Sequence, residues 1–441
     1  MAESNLLFIG AILSIALGSL SLHLIRKNEN LEWNERLAAH ILCWMFVVKG
    51  IQNAAVGYIN ELPMENDTEN IWQFLYAMSM LLDHAFSFSI MALCLIYPVP
   101  LLRTARQLKI GFVVLMTILV FRVVLVLVGH PSSLLEFPGL IYIVSGIVWG
   151  TVYIKFRLIE PELRTESTQN IATVCSLFLI LVMGHIWFWW PGMILQAEYF
   201  YFFDLGGVFT SITWDYMWQM ALSLCIAIGL CLLAIEIYQS VQGNPNSSMM
   251  YILISYFIIG AIGYVILSNV ESVHHAVEVE DTTKLAALWS TLTSQMHFTI
   301  VRPLIAMYIL LKFGLFDITE ENKSTAKIMA VILIVVATSA ILELIQSIIP
   351  INEMVSAALL GIIIAFGIGW EERSFDKLVN NRANLRIDVE PKWFPKIKQS
   401  DKITSKIDLA YAVFIVIVTL ISYLVWKTNM LLQIYWEKGG G

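Results

Sequence analysis

Lys49, Asp83, Arg122 and Arg302 are ionisable residues set deep inside long apolar runs. A charge at the centre of a bilayer is costly, so such a side chain faces the interior of a helix bundle and finds a partner there. Lys49 and Asp83 fall at similar depth in neighbouring runs, which predicts that they pair, with His84 and Arg122 as expected neighbours. Arg302 is expected to reach Glu343 in the next run. Together these six residues form a candidate intramembrane polar cluster. A proton or ion relay needs such a constellation, and so does a polar switch between two helix packings. A static ion pair that fixes helix register needs it equally.

Other chemistry finds little support. No phosphate-binding glycine loop, zinc-protease helix, nucleophile elbow or kinase signature occurs, so no enzyme activity is expected. His84 and His185 sit in separate runs, without the matched pairs that a haem-binding bundle uses, and no cofactor is expected. Cys43, Cys94, Cys175, Cys225 and Cys231 lie in apolar runs without metal-ligand spacing. They read as small hydrophobes, and no metal site is expected.

The elements that must position the charges are membrane helices. Of 441 residues, 58% are hydrophobic and 14% charged, against about 25% charged in soluble domains. A spanning helix takes about 20 mostly apolar residues. Such runs lie near 5–25, 37–59, 72–97, 109–129, 138–156, 170–190, 217–239, 249–270, 290–312, 328–349, 354–370 and 408–427. The fold expected is all-α, a polytopic transmembrane helix bundle of about 12 spans. The first run begins without a basic leader and reads as a retained helix rather than a signal peptide.

Basic residues set the expected orientation, because Lys and Arg collect in cytoplasmic loops. The odd-numbered connections carry 21 of them and the even-numbered ones only Lys284. Both termini are therefore expected outside. The basic connection 371–407 is then cytoplasmic, between a bundle over 1–370 and a last span with a short tail over 408–441. Its Arg373, Lys377, Arg382, Arg386, Lys392, Lys396 and Lys398 are candidates for binding anionic lipid or an output partner. The outer segment 187–218 is dense in aromatic residues and holds no Lys or Arg. It reads as a stretch anchored at the outer boundary, or as a lid over a ligand pocket, with Trp190, Tyr199, Asp204, Trp214 and Asp215 as candidates.

The stretch Arg302-Pro303-Leu304-Ile305-Ala306-Met307-Tyr308-Ile309-Leu310-Leu311-Lys312-Phe313-Gly314-Leu315-Phe316-Asp317-Ile318 resembles the segment that ends the multi-span input region of sensor histidine kinases. Leu359–Leu378, an apolar helix running into Trp370-Glu371-Glu372-Arg373, is similar to the helix that leaves the membrane there, and Leu95-Ile96-Tyr97-Pro98 resembles the end of an earlier span. The resemblance implies a sensor input region. No phosphoacceptor helix or ATP-binding domain follows Lys377, so an output enzyme in the same chain is not implied. The expected function is a multi-pass plasma-membrane sensor that passes an outer or in-bilayer signal to a cytoplasmic or membrane partner. A secondary transporter using Lys49, Asp83, Arg122 and Arg302 is the alternative, and an accessory subunit of a membrane complex the next. The net charge of −7 disfavours nucleic acid.

Overall fold

The computed structural model describes residues 2–26, 31–61, 69–127, 133–195, 212–274, 296–315 and 400–428, with Trp289, Thr293 and Leu385 as isolated positions. All regular structure among them is helical: α1 (Ala2–Arg26), α2 (Trp33–Glu61), α3 (Glu69–Ile96), α4 (Ala105–Leu127), α5 (Ser133–Arg157), α6 (Glu166–Trp187), α7 (Trp190–Leu195), α8 (Ile212–Val241), α9 (Ser247–His274), α10 (Arg302–Lys312) and α11 (Ser400–Thr428). A π-helical turn, His297–Val301, leads directly into α10.

Seven helical stretches among the described residues are long and apolar enough to cross a membrane: Leu7–Arg26, Trp33–Glu61, Ile71–Ile96, Glu166–Trp187, Met220–Val241, Ser247–Ile266 and Thr404–Thr428. These mark the chain as a membrane protein in contact with lipid. Lipid offers the backbone no hydrogen-bond partner, so each apolar run closes its own ladder as a helix. Helices lie on expected spans one to eight and twelve, and the ninth is described only from Met296 onward. The tenth and eleventh, 328–349 and 354–370, lie outside the described residues.

By backbone packing the chain forms two compact units, Met1–Leu134 with Ala306–Gly441, and Leu135–Ile305. In the first unit α1 packs on α2, α2 on α3, and α11 on both α2 and α3. Two glycines let α1 and α2 approach backbone to backbone. A Cβ at Gly18 would lie 2.8 Å from the Cys43 carbonyl oxygen, and one at Gly50 would lie 2.9 Å from that of Ala11. Small residues drive helix association in lipid through this kind of approach. Gly50→Val should force the pair apart and lower stability by about 1–3 kcal/mol. The unfolding midpoint in detergent reads the effect, and an unshifted midpoint would mean the contact does not hold α1.

In the second unit α6 packs on α8 and α9, and α8 packs on α9. Thr165 starts α6 with a capping box: its hydroxyl accepts from Thr168 N at 3.3 Å, and Thr168 Oγ1 accepts from Thr165 N at 2.9 Å. Gly243, at φ +78°, turns the chain between α8 and α9 in the left-handed region that favours glycine. Trp187 is fully buried and donates its indole N–H to the Cys225 carbonyl at 2.9 Å. A Cβ at Gly229 would lie 2.6 Å from that nitrogen, so glycine there makes room for the ring. Trp187 and Trp189 are both buried in this unit, where their rings pack against α8, α9 and Trp289.

Candidate functional site

Lys49 and Asp83 of the first unit meet across α2 and α3. Lys49, Gln52 and Asn53 are spaced i, i+3, i+4 and so share a face of α2. Lys49 Nζ donates to Gln52 Oε1 at 2.6 Å, and Gln52 Nε2 donates to Asp83 Oδ1 at 3.0 Å. The ammonium lies 3.8 Å from the same carboxylate oxygen and 5.5 Å from the centroid of the Phe86 ring. Gln52 thus bridges the pair, a role not expected from the sequence. The Asp83 side chain is 35% exposed and that of Lys49 15%. His84, next to Asp83, is buried. Asn53 is buried as well, and its amide nitrogen has no hydrogen-bond partner among the described residues.

A second polar centre joins α11 to α1 and α2. Asp408 Oδ1 accepts from Trp44 Nε1 at 2.9 Å and pairs with His40 Nδ1 at 2.9 Å. That nitrogen has to carry the hydrogen, since a carboxylate only accepts. Asp408 Oδ2 accepts from Arg26 Nη2 at 2.9 Å. The Trp44 ring stacks on Tyr411 at 5.4 Å, and the Tyr411 hydroxyl hydrogen-bonds to Ser89 of α3. Asp408 was expected only as the first residue of a span. Its signal in the sequence is a carboxylate at the mouth of an apolar helix that follows a basic connection.

The second unit holds two centres. Arg157 and Glu236 form a buried bidentate ion pair, with Nη2 to Oε2 at 2.7 Å and Nε to Oε1 at 3.0 Å. Tyr153 donates to Glu236 Oε1 at 2.7 Å, and Arg157 also donates to Gln169 Oε1 at 2.6 Å and to the Asn244 carbonyl at 2.9 Å. The last contact depends on the turn at Gly243. Arg157 counted as a loop cation in the sequence, yet its side chain is 3% exposed, and Glu236 of α8 is 1% exposed. Glu236 is a carboxylate inside an expected span, which was the signal for it.

The other centre gathers on α6. Arg302 donates from Nε to the Leu181 carbonyl at 2.8 Å and from Nη2 to that of Val182 at 3.2 Å, with its guanidinium 4.3 Å from the centroid of the Phe298 ring. His297 places one ring nitrogen 3.3 Å from the Tyr256 hydroxyl and the other 3.3 Å from the Leu181 carbonyl oxygen. The His185 and His297 rings lie 5.5 Å apart, and no group of metal-binding side chains occurs among the described residues. Backbone carbonyls of α6 receive Arg302. Glu343, its expected partner, lies outside the described residues.

Of the other expected site residues, Arg122 belongs to α4, and Trp214 and Asp215 to α8, with their side chains outside the described residues. Trp190 opens α7 and donates its indole N–H to the Phe257 carbonyl at 2.9 Å. Tyr199, Asp204, Arg373, Lys377, Arg382, Arg386, Lys392, Lys396 and Lys398 lie outside the described residues. Four cysteines are buried and Cys231 is exposed. No family model, curated protein or solved structure matches this chain.

Proposed function

We propose that the chain is a plasma-membrane sensor of about 12 spans, with both termini outside, that hands its signal to a separate partner. The observation that supports this reading is the Asp408 centre. The cytoplasmic connection 371–407 runs into α11, and Asp408, about two turns inside that helix, ties it to α1 through Arg26 and to α2 through His40 and Trp44. A change in how α1, α2 and α3 pack would move the end of that connection with them. Helix shifts of this kind are a common switching device. The connection carries nine Lys and Arg residues, enough to read a partner or an anionic leaflet. The kinase-like stretch at 302–318 points the same way.

Photocrosslinking from residue 396 in native membranes, followed by mass spectrometry, tests the proposal. A recurrent kinase, cyclase or transcription regulator is the expected product. Crosslinks only to lipid or to copies of the chain would overturn it. The bridged Lys49–Asp83 pair favours the second reading, a secondary transporter, because a half-open carboxylate at mid-depth is where such proteins hold a solute.

A further inference from the structure

We propose that one face of α4 is a binding site for an anionic phospholipid, with the phosphate on Arg106 and Lys109 and an acyl chain along the apolar residues that follow. The site is separate from the basic connection 371–407, and it needs neither a partner protein nor a signal.

The face is a product of helical spacing. Arg106, Lys109, Ile110, Val113, Thr117 and Val120 recur at intervals of three and four, so they line one stripe of α4. All six are exposed. Ile110, Val113 and Val120 keep 53, 53 and 57% of their surface open. Thr117 turns its hydroxyl to the Val113 carbonyl at 2.8 Å, so it adds no unmet donor to the stripe. Ile110 to Val120 covers about 15 Å of helix axis. That is the depth of one leaflet in a hydrocarbon core of about 30 Å.

The polar end is held in place by its own backbone. Thr104 and Gln107 cap α4 reciprocally. Gln107 N donates to Thr104 Oγ1 at 3.2 Å, and Gln107 Oε1 accepts from Thr104 N at 3.1 Å and from Arg103 N at 2.9 Å. Just before the cap, Leu101 N and Leu102 N both donate to the Leu95 carbonyl of α3, at 2.9 and 3.2 Å. A Cβ at Gly111 would lie 2.9 Å from Leu102 Cδ1. Gly111 is roughly 140° around the helix from Arg106. The connection from α3 therefore folds against the back of α4 and leaves the stripe clear.

Charge and depth select the occupant. Arg103, Arg106 and Lys109 gather at this end of α4, and the sequence has no Asp or Glu from His84 to Leu135. Arg106 and Lys109 enter no ion pair among the described residues. They stand one turn apart, so both reach one phosphate, Arg as a fork and Lys as a point charge. Beyond them α4 carries no charge from Ile110 to Phe121. An anion with a long apolar tail matches both halves of the stripe. A soluble anion would leave the apolar half uncovered. An apolar partner helix would leave two cations without a counter-charge. Basic residues beside a membrane span attract anionic headgroups in this way.

Photolabelling of the full chain in phosphatidylcholine vesicles tests the site. The vesicles carry a small fraction of either phosphatidylglycerol or phosphatidylcholine with a diazirine on the acyl chain, and mass spectrometry maps the adducts. Adducts on residues 110–120 should favour phosphatidylglycerol by about fivefold for each of the two cations. Arg106→Gln with Lys109→Gln should bring phosphatidylglycerol down to the phosphatidylcholine level at an unchanged melting midpoint. Arg106→Lys with Lys109→Arg should keep the excess, because the charge is retained. Equal labelling of the unaltered chain by the two lipids overturns the proposal, and so does an excess that survives the glutamine changes. Labelling by neither lipid also overturns it, since protein would then cover the face. If the glutamine variant does not fold, the unaltered chain carries the test in high salt, which should erode the excess; an excess that salt leaves intact overturns the proposal. Only lipid adducts are read, so a failure of this test is distinct from a failure of the partner crosslinking.

Discussion

Glu236→Ala should be the most damaging single change among the described residues, lowering stability by about 3–5 kcal/mol. The reason is what the substitution leaves behind. Arg157 is 3% exposed and gives Glu236 two bonds, at 2.7 and 3.0 Å. Without the carboxylate, a guanidinium stays buried with only the Gln169 and Asn244 oxygens to receive it. Tyr153 loses its acceptor in the same step. Replacing both partners, as in Arg157→Leu with Glu236→Leu, removes the stranded charge and should recover most of the loss, because a buried pair gains little over well-packed apolar side chains. Denaturant titration of the four proteins in detergent gives the coupling directly. A Glu236→Ala effect below 1 kcal/mol would mean that water reaches Arg157 and that the pair is not sealed.

The course of the helices was readable because lipid removes the alternatives. A run such as Met220–Val241 has to be a helix, whatever it packs against. The Lys49–Asp83 contact was readable for a related reason. α2 and α3 are sequential and antiparallel, so their depths can be matched by counting from the turn, and a mid-depth ammonium calls for a carboxylate at the same level. Arg157–Glu236 was not readable in that way. The two residues are 79 positions apart on helices that are not consecutive, and nothing in the pattern says that α5 and α8 are neighbours. The count of loop cations worked against the pair, since Arg157 at a helix end satisfies the positive-inside rule equally well when buried. The bridging role of Gln52 escaped too, because an amide has no charge to be balanced. The π-helical turn at His297 is harder still. Pro303 signals a break in the helix ladder, since it has no N–H to give. It does not say that the break widens into a π turn, which places His297 beside Tyr256 and Leu181.

Asp408→Ala should loosen α11 and cost about 2–4 kcal/mol, less than the loss of Glu236. Of the three donors it leaves, His40 Nδ1 belongs to a buried side chain and Trp44 Nε1 to a half-buried one. The third, Arg26, is 57% exposed and can turn to solvent, so its bond contributes little. Asp408→Asn separates these parts. Its single carbonyl oxygen can still accept from His40 and Trp44, while its amide group faces Arg26 and gives it nothing. The asparagine variant should therefore stay close to the parent protein, and only the alanine variant should free the helix. A cysteine at Thr404, a buried position one turn before Asp408, reports the difference. With the exposed Cys231 replaced by Ser, maleimide labelling at position 404 should be slow in the parent and in Asp408→Asn, and at least about tenfold faster in Asp408→Ala, since a 1.4 kcal/mol change in docking equilibrium is a tenfold change in the undocked fraction. The same alanine change should alter crosslinking from the connection 371–407 if α11 conveys the signal. Faster labelling with unaltered crosslinking would separate the clamp, which would stand as structure, from the output route, which would then run elsewhere.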